Sequence, residues 1–522
     1  MLASRMTSPV QSPTVLAVDL GSSGVRTALV DLDGRVLGSA LRPIAMRFAP
    51  EGTAEEDAGE IWSAFEAAVV ATVREGGSAA ARCVAVLCDS QYSSLVPVDE
   101  RGNPVGPLVL YLDTRAAGLL PRVTGRRPEL WKLWLERHGM AAGASGAESL
   151  AHLLWFQTER PEIHARAAAY VEPMDYLTSR LTGRVTANVC TVFPFLLTDN
   201  RSGCEGGYCE EMIEATGVDP SRLPALVPPA SVVGELLPEH ARAFGLPRAT
   251  PVFSPINDTH ALTFGTASHS GTHLGVSIGT TLVPTTTLAE MRSDLSHFLL
   301  TQPASLPGLH LLMAEGGLAG KALEFVMQQL VYANDALGDH RREDAFELLE
   351  EAANGTPPGA DGVVFLPWLT GIWAPAGDAR ARGAFLNLGL GTTRPHLVRA
   401  VLEGVACQLA WMLDPIGKLT GRRHDELVFA AGGASSDAWA QILADVTALP
   451  VRQLAEPRLA NCRGSAFLAF HRLGLLGLDS IGERLVVRRR YEPRASLRGL
   501  YDELHERFVA AHERLGPLFP RS

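Results

Sequence analysis

Three stretches of this chain put small, hydroxyl-bearing and acidic residues where an apolar run ends. In the first, Val15-Leu16-Ala17-Val18 meets Asp19-Leu20-Gly21-Ser22-Ser23-Gly24, and a second apolar run follows from Thr27 to Leu32. Glycines let the backbone approach a ligand closely. The Ser22 and Ser23 hydroxyls add to freed backbone N–H groups, and together they make a natural cradle for phosphate oxygens. The carboxylate of Asp19 suits a hard cation such as Mg²⁺, reached through water. The same residues also make an ordinary Gly/Ser hairpin turn, and this stretch alone leaves both readings open. The second stretch repeats the grammar: Leu274 to Ile278 ends in Gly279-Thr280-Thr281, and Leu282-Val283 enters another strand. In the third, Leu427 to Ala431 opens into Gly432-Gly433-Ala434-Ser435-Ser436-Asp437 before a helix from Ala438 to Leu449. Ser436 or Asp437 serves as its N-cap, and the helix start offers a site for an anion or a ribose.

The elements around these stretches alternate between strand and helix. Asp33-Gly34 between apolar runs is a strong hairpin signal. Ala58 to Glu75 carries Ile61, Trp62, Phe65, Ala68, Val69 and Val73 at helical spacing. A buried-looking strand, Cys83 to Cys88, breaks at Asp89-Ser90-Gln91-Tyr92-Ser93-Ser94, and Leu108 to Leu112 is another, ending in Asp113-Thr114-Arg115. Ser149 to Glu159 and Met174 to Leu177 read as helices, and Val252 to Ile256 is a strand running into Asn257-Asp258. In the second half, helices are expected at Lys321 to Tyr332, at Thr393 to Leu413 and, last, at Asn461 to Leu473. A strand is expected at Asp361 to Leu366. Two strand–loop–strand units about 260 residues apart imply two related α/β halves across a cleft, where ligands prefer to bind. The small residues from Gly265 to Gly271 read as a hinge between them.

Composition sets the outer limits. At 522 residues the chain is too long for one core, and its net charge of −11 argues against a nucleic-acid footprint. The seven cysteines, Cys83, Cys88, Cys190, Cys204, Cys209, Cys407 and Cys462, form no CxxC pair. Neither a disulfide framework nor a zinc cluster is expected, and a reducing compartment fits. Cys204 and Cys209 read as part of a solvent-accessible Gly-rich loop. Residues 1–13 lack an apolar core of signal-peptide length, and no uncharged run of 18 residues occurs, so the expectation is a soluble cytoplasmic protein.

In this order the motifs resemble the FGGY family of carbohydrate kinases, whose two domains share the actin-like, ribonuclease-H-like α/β fold with an interdomain cleft. DLGSSGVRT looks like the family's first phosphate loop and SIGTT like its second. LVFAAGGASSDAWAQILADVTALPV resembles the adenosine-binding segment. The stretch from Pro367 to Ala406 matches the long C-terminal signature, and SLAHLLWFQTE the N-terminal one, with His152 where the family usually has Lys. The likeness covers roughly Val15 to Leu476 and looks closest to the xylulokinase-like branch. It implies a disordered tail over 1–13, a sugar-binding domain over 14–268 and a nucleotide-binding domain over 269–522. ATP and Mg²⁺ are the implied co-substrate and cofactor, a pentulose such as D-xylulose the implied acceptor, and a homodimer is compatible.

Residue by residue, the resemblance implies Asp258 as the catalytic base and Asp19 as the Mg²⁺ partner. Ser22, Ser23 and Arg26 match positions that touch the transferring phosphate and nucleotide. Gly279 and Thr280 match the second phosphate loop, Gly320 a glycine near the nucleotide, and Gly432, Gly433 and Ser436 the adenosine pocket. For the sugar the candidates are Gln91, Asp113, Arg115, Asp175 and Asn257. Structural alternatives stand beside these: Asp258 and Asp175 as helix caps, Asp113 with Arg115 as a surface turn, and Arg26 as an exposed strand arginine. The chain also departs from the family. Ser-Gly-Gln-Met-His-Gly becomes Asp89 to Ser94, Trp-Asn-Asp-x-Arg becomes Tyr111 to Arg115, Gly-Glu-Arg becomes Gly371-Ile372-Trp373, and Ser254-Pro255-Ile256-Asn257 replaces a glycine-rich run. These changes leave other acceptors open, among them glycerol, ribulose, gluconate or another polyol, as well as a catalytically weak ATP and sugar sensor. A P-loop fails at Glu315 and Ala322, and a metalloprotease motif begun by His505-Glu506 fails at Val509.

Overall fold

A computed structural model of the chain describes residues 12–21, 24–143, 145–201, 206–336, 338–340, 342 and 344–519. Ser22, Ser23, Cys204 and most of the N-terminal tail lie outside the described residues. The chain divides into two compact units: residues 1–265, 305–307 and 461–484 form one, and 266–304, 308–460 and 485–522 the other. The sequence assigns all of 269–522 to the second domain. By packing, the helix that begins at Ala460 and the turns after it go with the first unit.

The first unit is built on a mixed sheet whose centre is Cys83–Ser90 running parallel to Thr14–Gly21. Thr14–Gly21 pairs antiparallel with Gly24–Asp31, which pairs with Val36–Arg42. On the other side, Pro251–Phe253 and then Ile256–Asn257 lie parallel to Cys83–Ser90, and Val232–Glu235 closes that edge. Near-continuous apolar runs such as Val15 to Val18 and Ala85 to Cys88 suit strands covered on both faces, and all eight of these residues are buried. Helix Ala58–Gly76 packs on this sheet through Ile61, Trp62, Phe65, Ala68 and Val69. The Asp57 carboxylate caps its start, accepting from the N–H groups of Gly59 and Glu60. A separate core gathers Trp134, Phe156, Tyr170 and Phe195. Cys209 belongs to it and is buried, which corrects the solvent-accessible reading of its loop.

The second unit repeats the plan. Leu274–Ile278 pairs antiparallel with Leu282–Thr285 and parallel with Leu427–Ala430, which is parallel to Val451–Leu454, and Val487–Tyr491 forms the far edge. Its central helix, Arg394–Thr420, is longer than the sequence spacing indicates and continues through Pro415. Proline there removes one N–H in the last turns, a loss that buried contacts of Pro415, Ile416 and Leu419 offset. Thr393 caps the other end in a reciprocal pairing with His396. This helix is long and apolar enough to cross a membrane by composition, but most of its apolar window is buried inside the unit. Helix Gly320–Val326 ends in a widened turn, Met327–Val331. The last helix of the chain is Arg498–Leu515, not Asn461–Leu473, and it packs through Tyr501, Leu504, Phe508 and Ala511.

The opening hairpin also explains where residues 461–484 go. Gly34 turns with a left-handed φ of 76°, its carbonyl accepts from Arg463 Nε at 2.9 Å, and Asp33 pairs with Arg484 at 2.6 Å. Farther along the same helix Gly464 lies flat against helix Asp258–Gly265. A Cβ there would run into the Ala261 carbonyl and come within 2.6 Å of the Gly265 nitrogen. Backbone atoms cannot rotate away as a side chain can, so Gly464→Ala should cost about 1–3 kcal/mol. Urea unfolding at constant m-value is the measurement that reads this loss.

Candidate active site

Three carboxylates leave adjacent strand ends of the first unit. Asp19 and Asp89 are direct neighbours across the parallel pair Thr14–Gly21 and Cys83–Ser90. On the far side of Asp89 runs Ile256–Asn257, with Ile256 beside Asp89 and Asn257 beside Ser90, and Asp258 follows as the first residue of its helix. Ligands of open α/β sheets bind at such carboxyl ends of strands. Asp19 is buried and pairs with Arg26 at 3.0 Å. Burial still outweighs that cation and holds its pKa above the usual carboxylate range. Asp89 is fully buried and accepts from Ser465 Oγ at 2.6 Å. Burial first, then the Asp19 charge, pushes it well up. Asp258 is raised to about 7, by burial and then by the charge of Asp19, and its Oδ1 accepts from Thr259 Oγ1 at 3.2 Å. A carboxylate held near neutrality is matched to taking a proton from a hydroxyl.

The helix cap next to Asp258 is supplied by its neighbour. Asn257 Oδ1 accepts from the His260 backbone N–H at 2.9 Å and lies 2.6 Å from His260 Nδ1. That oxygen, expected to face the sugar, is occupied within the protein. Asp113 and Arg115 are brought together, but in an internal network. Asp113 accepts from the Ala54 N–H at 2.8 Å and pairs with Arg115 at 2.7 Å, while Arg115 also pairs with Glu55 at 2.6 Å and stacks on Trp155. Asp113 itself is therefore buried, while Leu112 and Thr114 on either side are exposed and Arg115 is half-buried. His152 sits against the Asp113 carbonyl, and burial lowers it to about 4, so it is neutral at physiological pH. Gln91 is buried with no hydrogen-bond partner for Nε2. Asp175 is the third residue of helix Pro173–Thr182 and fully buried, its carboxyl within reach of the Thr191 side chain and of the Glu172 backbone at the helix start; burial, the larger effect, raises its pKa well above the ordinary value.

The second unit assembles the nucleotide candidates. The Gly320 N–H donates to the Gly279 carbonyl at 3.0 Å, and the Ala319 N–H to that of Thr280, also at 3.0 Å. A Cβ on Gly320 would strike the Gly279 carbonyl, so glycine is required at that contact. Gly433 lies equally close to Ile278, where a Cβ would fall 2.8 Å from the Ile278 Cβ. Gly279, Thr280, Gly320 and Gly433 thus share one loop cluster. Thr280 is exposed at its rim. Just before Gly432, Ala431 adopts a positive φ of 65°, uncommon for a side-chain-bearing residue and a mark of local backbone strain. Ser436, the N-cap, accepts from the Trp439 N–H at 3.0 Å, and Asp437 is tied to Gln453 and Arg488.

Asp89 was not among the sequence-derived site residues, although its position at the end of a buried strand and its departure from the family's Ser were both readable. Ser465 gave no such signal. Among the described residues no group of three or more His, Cys, Asp or Glu side chains is arranged to hold a metal ion. A cation beside Asp19 would take its remaining ligands from phosphate oxygens and water, the mode that Mg²⁺ favours.

Known proteins are similar to this chain over most of its length. The family model for the N-terminal domain of FGGY carbohydrate kinases matches residues 14–265, and that for the C-terminal domain matches residues 274–473. The autoinducer-2 kinase of Enterobacter sp. (strain 638) is 25% identical over 508 residues, 95% of this chain and 94% of its own length. The glycerol kinase of Bordetella parapertussis is 27% identical over 493 residues, 92% of each chain. The crystal structure of xylulose kinase from Rhodospirillum rubrum is 25% identical, with a TM-score of 0.82 over 97% of this chain and 100% of that one.

The raised pKa of Asp258 has a stability consequence. A carboxyl whose folded pKa is about 7 against 3.8 unfolded binds more protons in the folded state, so its favourable contribution is complete below about pH 4 and lost as pH rises through 7. Asp258→Asn should therefore raise the Tm at pH 8, with the gain vanishing toward pH 4. Thermal unfolding of both proteins across that range checks it.

Proposed function

Because the chain belongs to the FGGY family of carbohydrate kinases, and so is a sugar phosphotransferase, we propose that it moves the γ-phosphate of ATP to a hydroxyl of a ketose or polyol, with D-xylulose or a related pentulose foremost. The observation that carries the reading is Asp258, a carboxylate poised near neutrality at a strand end. On this reading the acceptor hydroxyl gives its proton to Asp258 as its oxygen attacks the γ-phosphorus in line and ADP departs. Little covalent work falls to the protein, so positioning and charge neutralisation supply most of the rate. Arg26 and the first loop would meet the phosphates from one unit, and Gly279, Thr280 and Gly320 from the other. Gly432 and Gly433 would flank the adenosine. Mg²⁺ bound with ATP would neutralise phosphate charge, and Asp19 would hold it through water.

Likeness to a xylulose kinase structure supports the pentulose choice, while autoinducer-2 and glycerol kinases stand at similar identity. Cytoplasmic location and homodimer assembly belong to the same proposal, the first supported by six described cysteines none of which forms a disulfide.

Asp258→Asn should lower kcat by about 10³-fold, within the range of a positioned general base, while calorimetric titration still detects ATP binding. Turnover that persisted in this variant would exclude Asp258 as the base. In the wild type, kcat/KM should rise with pH through about 7, because only the ionised carboxylate accepts a proton. Gly320→Val, which forces the Gly279 carbonyl aside, should raise the KM for ATP and leave that for the acceptor unchanged.

A further inference from the structure

The run of chain that delivers Asp258 is interrupted. Pro251–Phe253 and Ile256–Asn257 both lie parallel to Cys83–Ser90, with Val252 beside Val86 and Ile256 beside Asp89. Val252 to Ile256 is a step of four residues and Val86 to Asp89 a step of three, so the Asp258 side carries one residue more than its neighbour. The surplus falls at Ser254-Pro255, where proline has no N–H to give to a ladder. On the outer side Val232–Glu235 pairs with Pro251–Phe253 and stops there. An extra residue of this kind bends a strand and re-aims the side chains beyond it, a device that recurs beside active sites. Asp258 follows three residues after Pro255, so its direction depends on how the interruption is held.

One side chain holds it. Asn188 is fully buried, and its Nδ2 donates to Ser254 Oγ at 2.8 Å and to the Pro255 carbonyl at 2.7 Å. Its Oδ1 accepts from the N–H groups of Cys190 at 2.9 Å and Thr191 at 3.3 Å. The Asn188 N–H in turn donates to Thr191 Oγ1 at 3.0 Å. A side-chain amide offers two donor hydrogens and one carbonyl oxygen, and here each is used. The anchor is itself well tied. Asn188 directly follows Thr186–Ala187, which runs parallel to Ala225–Leu226, and the Thr191 side chain reaches the buried carboxyl of Asp175. Both donor hydrogens of one residue are thus committed to the two residues at which the strand of Asp258 breaks.

Resting on the kinase reading above, we propose that Asn188 is a positioning residue for phosphoryl transfer: it clamps the Ser254-Pro255 interruption and so fixes where the Asp258 carboxylate meets the acceptor hydroxyl. Asn188 acts through the strand and not on the reacting atoms. A general base works only within hydrogen-bond reach of the proton it takes. A displacement of about 1 Å, caused far from the chemistry, can cost about 100-fold in rate. An apolar side chain at 188 leaves Ser254 Oγ and the Pro255 carbonyl without this donor in a buried place, and the strand shifts to recover partners.

The test is a double-mutant cycle on the intact protein: wild type, Asn188→Leu, Asp258→Asn and the double variant. ADP release at saturating ATP is measured with D-xylulose, D-ribulose, glycerol and xylitol, and the acceptor that the wild type turns over best is carried through the cycle. Calorimetric titration with ATP on the same samples reports folding. Asn188→Leu should lower kcat at least about tenfold and leave ATP affinity within about twofold of wild type. In the Asp258→Asn background no base remains to be positioned, so the same substitution should change the residual rate by no more than about twofold. A kcat within about twofold of wild type in Asn188→Leu that binds ATP, or an equal loss in both backgrounds, overturns the proposal and leaves the kinase reading intact. If Asn188→Leu fails to bind ATP, Ser254→Ala takes its place in the cycle, since it removes one of the two acceptors and leaves Asn188 itself. Its expected loss in kcat is at least about threefold, again absent in the Asp258→Asn background, and the same two outcomes overturn the proposal. Absence of turnover by the wild type with every acceptor, in protein that binds ATP, overturns the kinase reading and this proposal together.

Discussion

Mutual repulsion among Asp19, Asp89 and Asp258 is the constraint around which the first unit is arranged. Three carboxylates on neighbouring strand ends, in a place that excludes water, cannot all be ionised without strong opposition. The protein answers on two sides. Arg26, opposite Asp19 in the antiparallel hairpin, supplies a cation, and Ser465 supplies a hydroxyl to Asp89. The second answer comes from a helix nearly 380 residues later in the chain, which explains why residues 461–484 pack with the first unit. Arg463 and Arg484 fasten that segment to the Asp33-Gly34 turn, and Gly464 allows it to lie against the helix of Asp258. Burial first, and then the Asp19 charge, lifts Asp258 to about 7.

The second unit uses the same strand plan for a different end. There the strand ends present backbone rather than carboxylates: the Gly279 and Thr280 carbonyls are tied to the start of helix Gly320–Val326, and Ala431 is held at a positive φ. Close backbone packing of this kind fixes N–H groups in place before a ligand arrives, and preorganised dipoles lose nothing to reorientation during reaction. One topology thus carries an acid–base cluster in one unit and a glycine-lined cradle in the other.

Much of this was readable in the residues. The Asp19 and Gly279 loops announced themselves by small polar residues between apolar runs, and both mark strand ends. At the first loop Gly21 pairs with Gly24 across the antiparallel strands, and Ser22 and Ser23 between them lie outside the described residues. The Asn257 oxygen is taken by His260 three residues on, a local N-cap pattern that was readable but passed over, whereas the enclosure of Asp113 depends on distant partners, Glu55 and Ala54. The central helix runs past the end expected at Leu413 and through Pro415, where tertiary burial overrides the local preference. The helix Arg498–Leu515 was missed, although Tyr501, Leu504, Phe508 and Ala511 follow helical spacing in a charged background.

Buried polar groups in the two units separate architecture from chemistry. In the second unit Glu403 Oε1 accepts from Arg399 Nε, the Gly359 N–H and Tyr501 OH at 2.7–2.9 Å, and Arg399 also donates to the Ala353 and Thr356 carbonyls. That network joins the long central helix, the last helix and the chain around Gly359. Its charges are matched on the spot, as buried ion pairs must be to be tolerated. In the first unit the amide nitrogen of Gln91 is also buried but lacks a hydrogen bond. A folded protein tolerates such a cost where a ligand will later supply the missing partners. Arg399 and Glu403 Oε1 are thus matched within the fold, whereas Gln91 Nε2 and Glu403 Oε2 have no partner among the described residues.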